Sequence, residues 1–344
     1  VTGDQQATAR AIASELGLLD GEKLVITGKD LDNLSDEELA EKINHIAVVA
    51  RVSPKHKLRI VRAFKRSGHV VAMTGDGVND APAVKEADVG ISMGKSGTDV
   101  TKEASAMVLA DDNFATIVAA IEEGRAIYDN IRKFIRYLLS CNVGEVLTMF
   151  LGALLGLPLP LLPIQILWVN LVTDGLPALA LGVDPANPDI MLRPPRSPRE
   201  SIFAHGLGRK ILGQGFKIGV GTLIVFILGV FLGEGELATA RTMAFTTLVI
   251  SQLLYVFECR SDYYSAFEAG LFSNKYLLLA VAGSVAMQLA VIYLPALQSV
   301  FKTVSLNGFH WTVILLFGAW DTFLKGFHHL VWAPIKRKWA GLWA

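Results

Sequence analysis

The 344 residues carry 32 Lys+Arg against 32 Asp+Glu, a formal charge of zero, and 52% of them are hydrophobic, for a mean hydropathy of +0.42. That is too apolar for a wholly soluble chain of ordinary make-up, and without net positive charge or a basic run interleaved with aromatics there is no case for nucleic-acid binding. The two cysteines, Cys141 and Cys259, lie inside or at the edge of apolar stretches, which argues against a disulfide framework or thiolate metal site and for small buried residues.

Taken in order, the first 125 residues alternate strand and helix patterns. Asp4 is placed to cap a helix over residues 5–16, and Leu24 to Thr27 reads as a short extended segment. Ser35-Asp36-Glu37-Glu38 opens the next helix with acid at its positive end, and Ile46 to Ala50 is a buried strand. Pro54 starts a helix reaching Arg66, with Lys55, Arg59, Arg62, Lys65 and Arg66 on a solvated basic face. Val70 to Met73, Val89 to Met93 and Met107 to Leu109 are further strands, so a parallel sheet with helices on both faces, a Rossmann-like α/β half-domain, is expected.

Ligands gather at the carboxyl ends of such strands, and the strand ending at Met73 delivers Asp76 and Asp80 there. Within Thr74-Gly75-Asp76-Gly77-Val78-Asn79-Asp80 the glycines permit tight turns, and two close carboxylates suit a Mg²⁺ ion that neutralises phosphate oxygens. Asn79 adds a neutral hydrogen-bonding group, and Lys57 could present its ammonium to a phosphoryl group. Each motif alone has a plainer reading: a Gly-Asp-Gly turn, a surface lysine, a helix cap at Thr2-Gly3-Asp4.

Together, Thr2-Gly3-Asp4, Arg51 through Lys57 and Met73 through Pro82 resemble the phosphorylation domain of P-type ATPases of the calcium-transporting subgroup. The likeness continues through residues 107–114 and 122–128 into the membrane segments, covering nearly the whole chain. By this resemblance the fold is a haloacid-dehalogenase-type partial phosphorylation domain, residues 1–125, followed by a membrane domain, residues 126–344. Asp76 would bind catalytic Mg²⁺ with support from Asp80. Lys57 would contact the transferred phosphoryl group, and Thr2, Gly3, Asp4, Arg51 and Asn79 would surround phosphate or the nucleotide, ATP. The family's Asp-Lys-Thr-Gly-Thr phosphorylation sequence, nucleotide-binding insertion and Thr-Gly-Glu actuator loop do not occur in the 344 residues. The expectation is therefore a C-terminal piece, inactive in isolation, whose partner is the N-terminal part of the same polypeptide.

From Ile131 onward, apolar stretches of roughly 20 residues reach the length that crosses a bilayer as a helix. Six spans are expected, at 131–155, 161–182, 211–233, 240–258, 275–295 and 310–332, forming a helical bundle in the lipid bilayer. Arg193, Arg196, Arg199, Arg209 and Lys210 in one connection, and Lys336-Arg337-Lys338 in the tail, put those segments and the soluble domain in the cytoplasm. The short Gly233-Glu234-Gly235-Glu236 connection departs from the long lumenal insertion of the reticulum pumps and resembles a prokaryotic plasma-membrane version.

A carboxylate at mid-bilayer costs ~2.5 kcal/mol or more, so polar residues inside spans demand a reason. Asn142 and Glu145 are three apart, and Asn170, Thr173 and Asp174 follow an i, i+3, i+4 pattern, so each set shares a helical face. Hard oxygen ligands of this kind suit Ca²⁺. Gly175 and Pro177 weaken the helix beside Asp174, so unwound backbone is expected there; a structural polar contact between helices is the alternative. Residues 140–146 and 167–175 resemble the fifth and sixth helices of the sarco/endoplasmic-reticulum-type pumps, which implies that Asn142, Glu145, Asn170, Thr173 and Asp174 ligate Ca²⁺ as the transported ion. Gln252 aligns where the family's eighth helix usually supplies a glutamate, keeping a carbonyl oxygen and losing the charge. Asp321 and Lys325, four apart, are expected to pair with each other or snorkel, and Trp311, Trp332, Trp339 and Trp343 to anchor at the interface.

The function these readings converge on is an ATP-driven exporter of Ca²⁺ from the cytosol, working through an aspartyl-phosphate intermediate. Rivals are a pump for Mn²⁺, Na⁺/K⁺ or H⁺, a membrane-anchored haloacid-dehalogenase-type phosphohydrolase, and a non-catalytic regulatory partner.

Overall fold

The computed structural model describes residues 1–19, 23–197, 199–232, 236–261, 270 and 272–324. Two compact units divide at residue 121, Val1–Ile121 and Glu122–Ala344.

In the first unit, β1 (Leu24–Thr27) pairs in parallel with β2 (Ile46–Ala50). A second parallel sheet has the order β3 (Ala72–Gly75), β4 (Val89–Met93), β5 (Met107–Leu109). All these pairings are parallel, but they fall in two sheets rather than the one expected. The reason lies at the carboxyl end of β2, where Thr2 donates its N–H to the Val49 carbonyl at 3.0 Å, Val52 donates to Thr2 O at 3.3 Å, and Arg51 donates to Asp4 O at 3.2 Å. The first residues thus occupy backbone positions there that a neighbouring strand would use. β3 also lies two residues later than predicted: Thr74 and Gly75 pair with Ile91 and Ser92, whereas Val70 is 60% exposed.

β2 is apolar on both faces, as a buried parallel strand requires. Val48 and Ala50 pack on Ala9 and Ala13 of the helix Gln6–Glu15, while Ile46 and Val49 join Leu39, Ile43 and Ile60. Ile46 sides with Val49 because the ladder slips between Leu24 and Val25, and the extra residue reverses the alternation. The first helix starts without the expected Asp4 cap: Gln5 stands at the cap position with no side-chain bond, and the Asp4 carboxylate accepts the Thr2 hydroxyl at 2.8 Å instead. Ser35 and Glu38 form the capping box their spacing predicts.

The helix Pro54–Arg66 has the predicted bounds; Lys55, Arg62 and Arg66 on its basic face are exposed, while Arg59 and Lys65 are half-buried and bonded to neighbouring elements. Arg59 donates to the carbonyls of Leu31 and Leu34 and to Asp36, Arg62 reaches Glu86 at 3.2 Å, and Lys65 reaches the Glu86 carbonyl at 2.8 Å. After β5, Asp112 in the left-handed region at φ 56° accepts the backbone N–H groups of Lys95 and Ser96. Those bonds, that from Lys95 first, lower its carboxyl to about 2.

In the second unit, five helices are long and apolar enough to cross a bilayer among the described residues: Phe114–Leu154, Pro163–Gly182, Leu207–Leu232, Leu237–Glu258 and Lys275–Tyr293. Within the range of the sixth expected span the described residues hold a shorter apolar helix, Gly308–Gly318, eleven residues long. Lys325, Trp332, Trp339, Trp343, the basic tail and residues 233–235 lie outside the described residues. Leu237–Glu258 is the most buried of the five and contributes Phe245, Leu248, Tyr255 and Val256 to a core shared with Tyr137, Val169, Leu181 and Phe226. Close approach of the first and third helices rests on glycine: a Cβ on Gly215 would stand 2.5 Å from Val143, and one on Gly144 would stand 2.8 Å from Ile218.

The second helix is interrupted. Pro163–Trp168 is α-helical, Val169–Thr173 is a π-turn, and Gly175–Gly182 resumes the α-helix, with Asp174 N–H bonding back five residues to Val169 O at 2.8 Å. The expected unwinding is a wide turn instead. Pro177 has no N–H for the Thr173 carbonyl and its ring crowds that carbonyl, a conflict that one extra residue in the turn relieves.

Candidate functional site

Two groups of predicted residues assemble, one in each unit. In the first unit the predicted residues meet at the carboxyl ends of β2 and β3. Arg51, exposed and at φ 50°, turns the chain from β2 toward the helix Pro54–Arg66, with Thr2-Gly3-Asp4 beside it. That helix carries Lys57 in its first turns, and Lys57 Nζ donates to Asp80 Oδ1, a buried carboxylate. Asp80 Oδ2 accepts the backbone N–H of Asp76 at 3.4 Å. Asp80 can pack so closely because residue 75 is glycine: a Cβ there would stand 2.6 Å from Asp80 Cβ. The Asp76-Gly77 backbone is pinned by Thr98 N–H on Asp76 O at 3.0 Å and by Thr101 Oγ1 on Gly77 O at 2.8 Å.

The Asp76 side chain is left exposed, as is Asn79. One exposed carboxylate beside a buried, lysine-paired one fits Mg²⁺, which keeps several waters and takes one or two carboxylates together with phosphate oxygens. No group of three or more His, Cys, Asp or Glu converges as a metal site among the described residues.

His56, which sequence reasoning passed over, orders this corner. Ser53 donates its N–H to His56 Nδ1 at 3.1 Å, so Nδ1 is an acceptor and the proton sits on Nε2, which donates to Asp32 Oδ1 at 2.8 Å. A Cβ on Gly28 would stand 2.7 Å from that Nδ1. The signal in the sequence is the Ser53-to-His56 spacing of a capping box.

In the second unit the first and second long helices are joined by polar rungs. Asn170 Nδ2 donates to Glu145 Oε2 at 2.7 Å, and Gln252 Nε2 of the fourth helix donates to Glu145 Oε1 at 3.1 Å. Both oxygens of one buried carboxylate are therefore held by amides. Tyr137 OH donates to Asp174 Oδ1 at 3.0 Å, and the Cys141 thiol lies beside the same carboxylate. Asp174 Oδ2 and Gln252 Oε1 are buried with no hydrogen-bond partner. Thr173 is buried and returns its hydroxyl to Val169 O at 3.3 Å. Asn142 is exposed and makes no hydrogen bond with these residues among the described ones. Tyr137 was missed by sequence reasoning; its signal is that residues 137, 141 and 145 recur every four positions along one helix. Lys217 of the third helix donates to Asp321 Oδ1 at 2.7 Å; the expectation that Asp321 and Lys325 pair with each other or snorkel falls on a residue outside the described ones.

Comparison with known proteins finds one family match within each unit. The haloacid dehalogenase-like hydrolase family matches residues 1–88, and the family of cation transporting ATPase C-termini matches residues 158–330. The calcium-transporting ATPase of Bacillus subtilis is 56% identical over 324 residues, which are 94% of this chain and 36% of that protein. Calcium-transporting ATPase 1 of Bacillus cereus is 49% identical over 331 residues, 92% of this chain and 37% of the relative. Calcium-transporting ATPase 1 of Saccharomyces cerevisiae is 45% identical over 311 residues, 89% and 32%. The chain thus spans about a third of the length of the curated relatives it matches. With a hydrolase-type unit joined to a polytopic membrane unit and half its length matched by the transporter family, the chain belongs to the cation-transporting P-type ATPases.

Proposed function

We propose that this chain is the rear part of an ATP-driven pump that exports Ca²⁺ from the cytosol through an aspartyl-phosphate intermediate, in a plasma membrane with the first unit and the basic connections on the cytoplasmic side. The observation that carries the reading is the pair of buried acceptor oxygens without donors, Asp174 Oδ2 and Gln252 Oε1, in the cluster that contains Glu145. An acceptor buried without a hydrogen bond is costly, and a cation is the partner that satisfies oxygens alone. Calcium is favoured over softer metals because all the candidate ligands are oxygens. Names of the relatives point the same way, each being called a calcium-transporting ATPase.

In this geometry the amides of Asn170 and Gln252 turn their N–H groups to Glu145, so entry of Ca²⁺ would require the Asn170 amide to rotate and present oxygen, whereas Gln252 already has its Oε1 without a partner. Tyr137 would hold Asp174 Oδ1 and leave Oδ2 for the ion. In the first unit Lys57 would supply positive charge to a transferred phosphoryl group, Arg51, Thr2, Gly3, Asp4 and Asn79 would border phosphate or ATP, and Asp76 with Asp80 would hold Mg²⁺. Mg²⁺ when bound neutralises phosphate oxygens. The test is ATP-dependent radioactive calcium uptake into vesicles carrying the full-length protein. Uptake lost in Asp174→Asn and not competed by Mn²⁺ is expected. ATP hydrolysis indifferent to Ca²⁺ and to Asp174→Asn would instead make the protein an anchored phosphohydrolase.

A further inference from the structure

At one end of the second unit lies a cluster of charges that the cation site does not use. Asp184 is 2% exposed at its side chain and ten residues beyond Asp174. Its Oδ2 accepts Lys133 Nζ at 2.8 Å, and its Oδ1 accepts Arg260 Nε and Asn274 Nδ2, both at 2.9 Å. Lys133 and Arg260 are themselves only 7% and 3% exposed at their side chains. Each makes further bonds: Lys133 donates to Asn130 Oδ1, and Arg260 donates to Gly270 O and Ser273 Oγ. Asn130 closes the ring by donating to the carbonyls of Gly182 and Asp184, and Asn274 donates to Ala180 O. One carboxylate thereby ties together the first helix, the end of the second, the end of the fourth and the start of the fifth.

Burying three full charges costs more than an apolar contact of the same volume, so such a cluster is weak as a stabiliser and strong as a device that selects one arrangement. Its place defines the arrangement selected. Lys133 is one turn before Tyr137 on the same helix, so the first and second helices are bridged at Lys133–Asp184, at Tyr137–Asp174 and at Glu145–Asn170 in antiparallel order. The π-turn at Val169–Thr173 contains Asn170, Glu145's partner, and precedes Asp174 and Asp184, so the helix can slip by a residue there. The bridge at Asp184 fixes the far side of that turn.

We propose that the Lys133–Asp184–Arg260 cluster is the positioning element of the cation site, setting the register in which Asp174 and Asn170 face the first helix. The inference rests on the pump reading above. Asp184 touches no transported ion; it acts through Asp174, so its loss appears in cation affinity and not in the phosphorylation chemistry.

The experiment measures Ca²⁺ activation of phosphoenzyme formation from ATP, and phosphoenzyme formation from inorganic phosphate without Ca²⁺, in the full-length protein. Asp184→Asn is expected to weaken apparent Ca²⁺ affinity at least about tenfold while phosphorylation from inorganic phosphate stays within about twofold; Asp184→Glu recovers most of the affinity. The triple variant Lys133→Met/Asp184→Leu/Arg260→Met removes the charges and their burial cost together, and serves if the single variant does not fold. The expectation for it is the same loss of affinity. Either a folded Asp184→Asn or a folded triple variant that keeps Ca²⁺ affinity within about twofold overturns the proposal. If the unmodified protein itself shows no Ca²⁺-dependent phosphorylation, the pump reading falls instead, so the two failures are distinct.

Discussion

Gln252 and Glu145, on the fourth and first long helices, are joined by an amide-to-carboxylate hydrogen bond of 3.1 Å, and the other side-chain oxygen of Gln252 is buried without a partner. One side chain thus supplies both a donor that holds the carboxylate and an acceptor waiting for a cation. Gln252→Leu removes both. A hydrogen bond to a charged group is worth roughly 1.5 kcal/mol or more, so apparent Ca²⁺ affinity should fall about tenfold or further, read from uptake against free Ca²⁺. Unchanged affinity would show that Gln252 only fills space.

Lys57→Met strands the Asp80 carboxylate, which is 7% exposed at its side chain, without its counter-charge. Removing one partner of a buried pair costs roughly 3 kcal/mol, discounted here because Lys57 is a quarter exposed. Thermal unfolding of the full-length protein should show the first unit melting earlier, and phosphoenzyme formation should be lost. Asp80→Asn, which leaves no buried charge, should be milder in stability.

Gly75→Ala tests packing at the same corner. The added methyl would sit 2.6 Å from Asp80 Cβ and 2.8 Å from Val84, with the pairing of β3 to β4 holding it there. Overpacking of this kind costs roughly 1–3 kcal/mol. Because the displaced residue is Asp80, phosphorylation should fall more than stability does, and equal activity with reduced melting temperature would mean that Asp80 is not in the chemistry.

Acid response at Asp112 follows from its carboxyl, lowered to about 2 first by the Lys95 N–H bond and then by Ser96. A carboxyl lowered on folding contributes stability above its unfolded value of about 4 and loses it as pH falls toward about 2. Taking the full-length protein from about pH 7 to about pH 5 should therefore leave the corrected hydrogen-exchange protection of Lys95 and Ser96 unchanged. Asp112→Asn should lower that protection at both pH values, and equal protection in the two proteins would refute the assignment.

Some of this was readable from residues alone. β2, β4, β5 and the helix Pro54–Arg66 lie at their predicted bounds, because an apolar run between turn signals, or a proline at a helix start, is a local property. β3 was misplaced by two residues because its limits are set by which residues of β4 it meets. The Asp4 cap failed because Thr2 and the end of β2 engage that segment first. Asn142 and Glu145 share a helical spacing, yet only Glu145 is met by Asn170 and Gln252.

By itself the sequence determined that an α/β unit precedes a polytopic apolar unit, and which residue types line each candidate site, since hydrophobic period and side-chain chemistry are written locally. Only the tertiary structure decided which polar groups meet. Lys133 and Arg260 read as ordinary basic residues beside apolar stretches, and Asp184 as part of a loop, until folding brings the three within hydrogen-bonding distance. Partners 51 and 76 residues apart leave no trace in local pattern, and a buried charge is tolerated only where such a partner arrives.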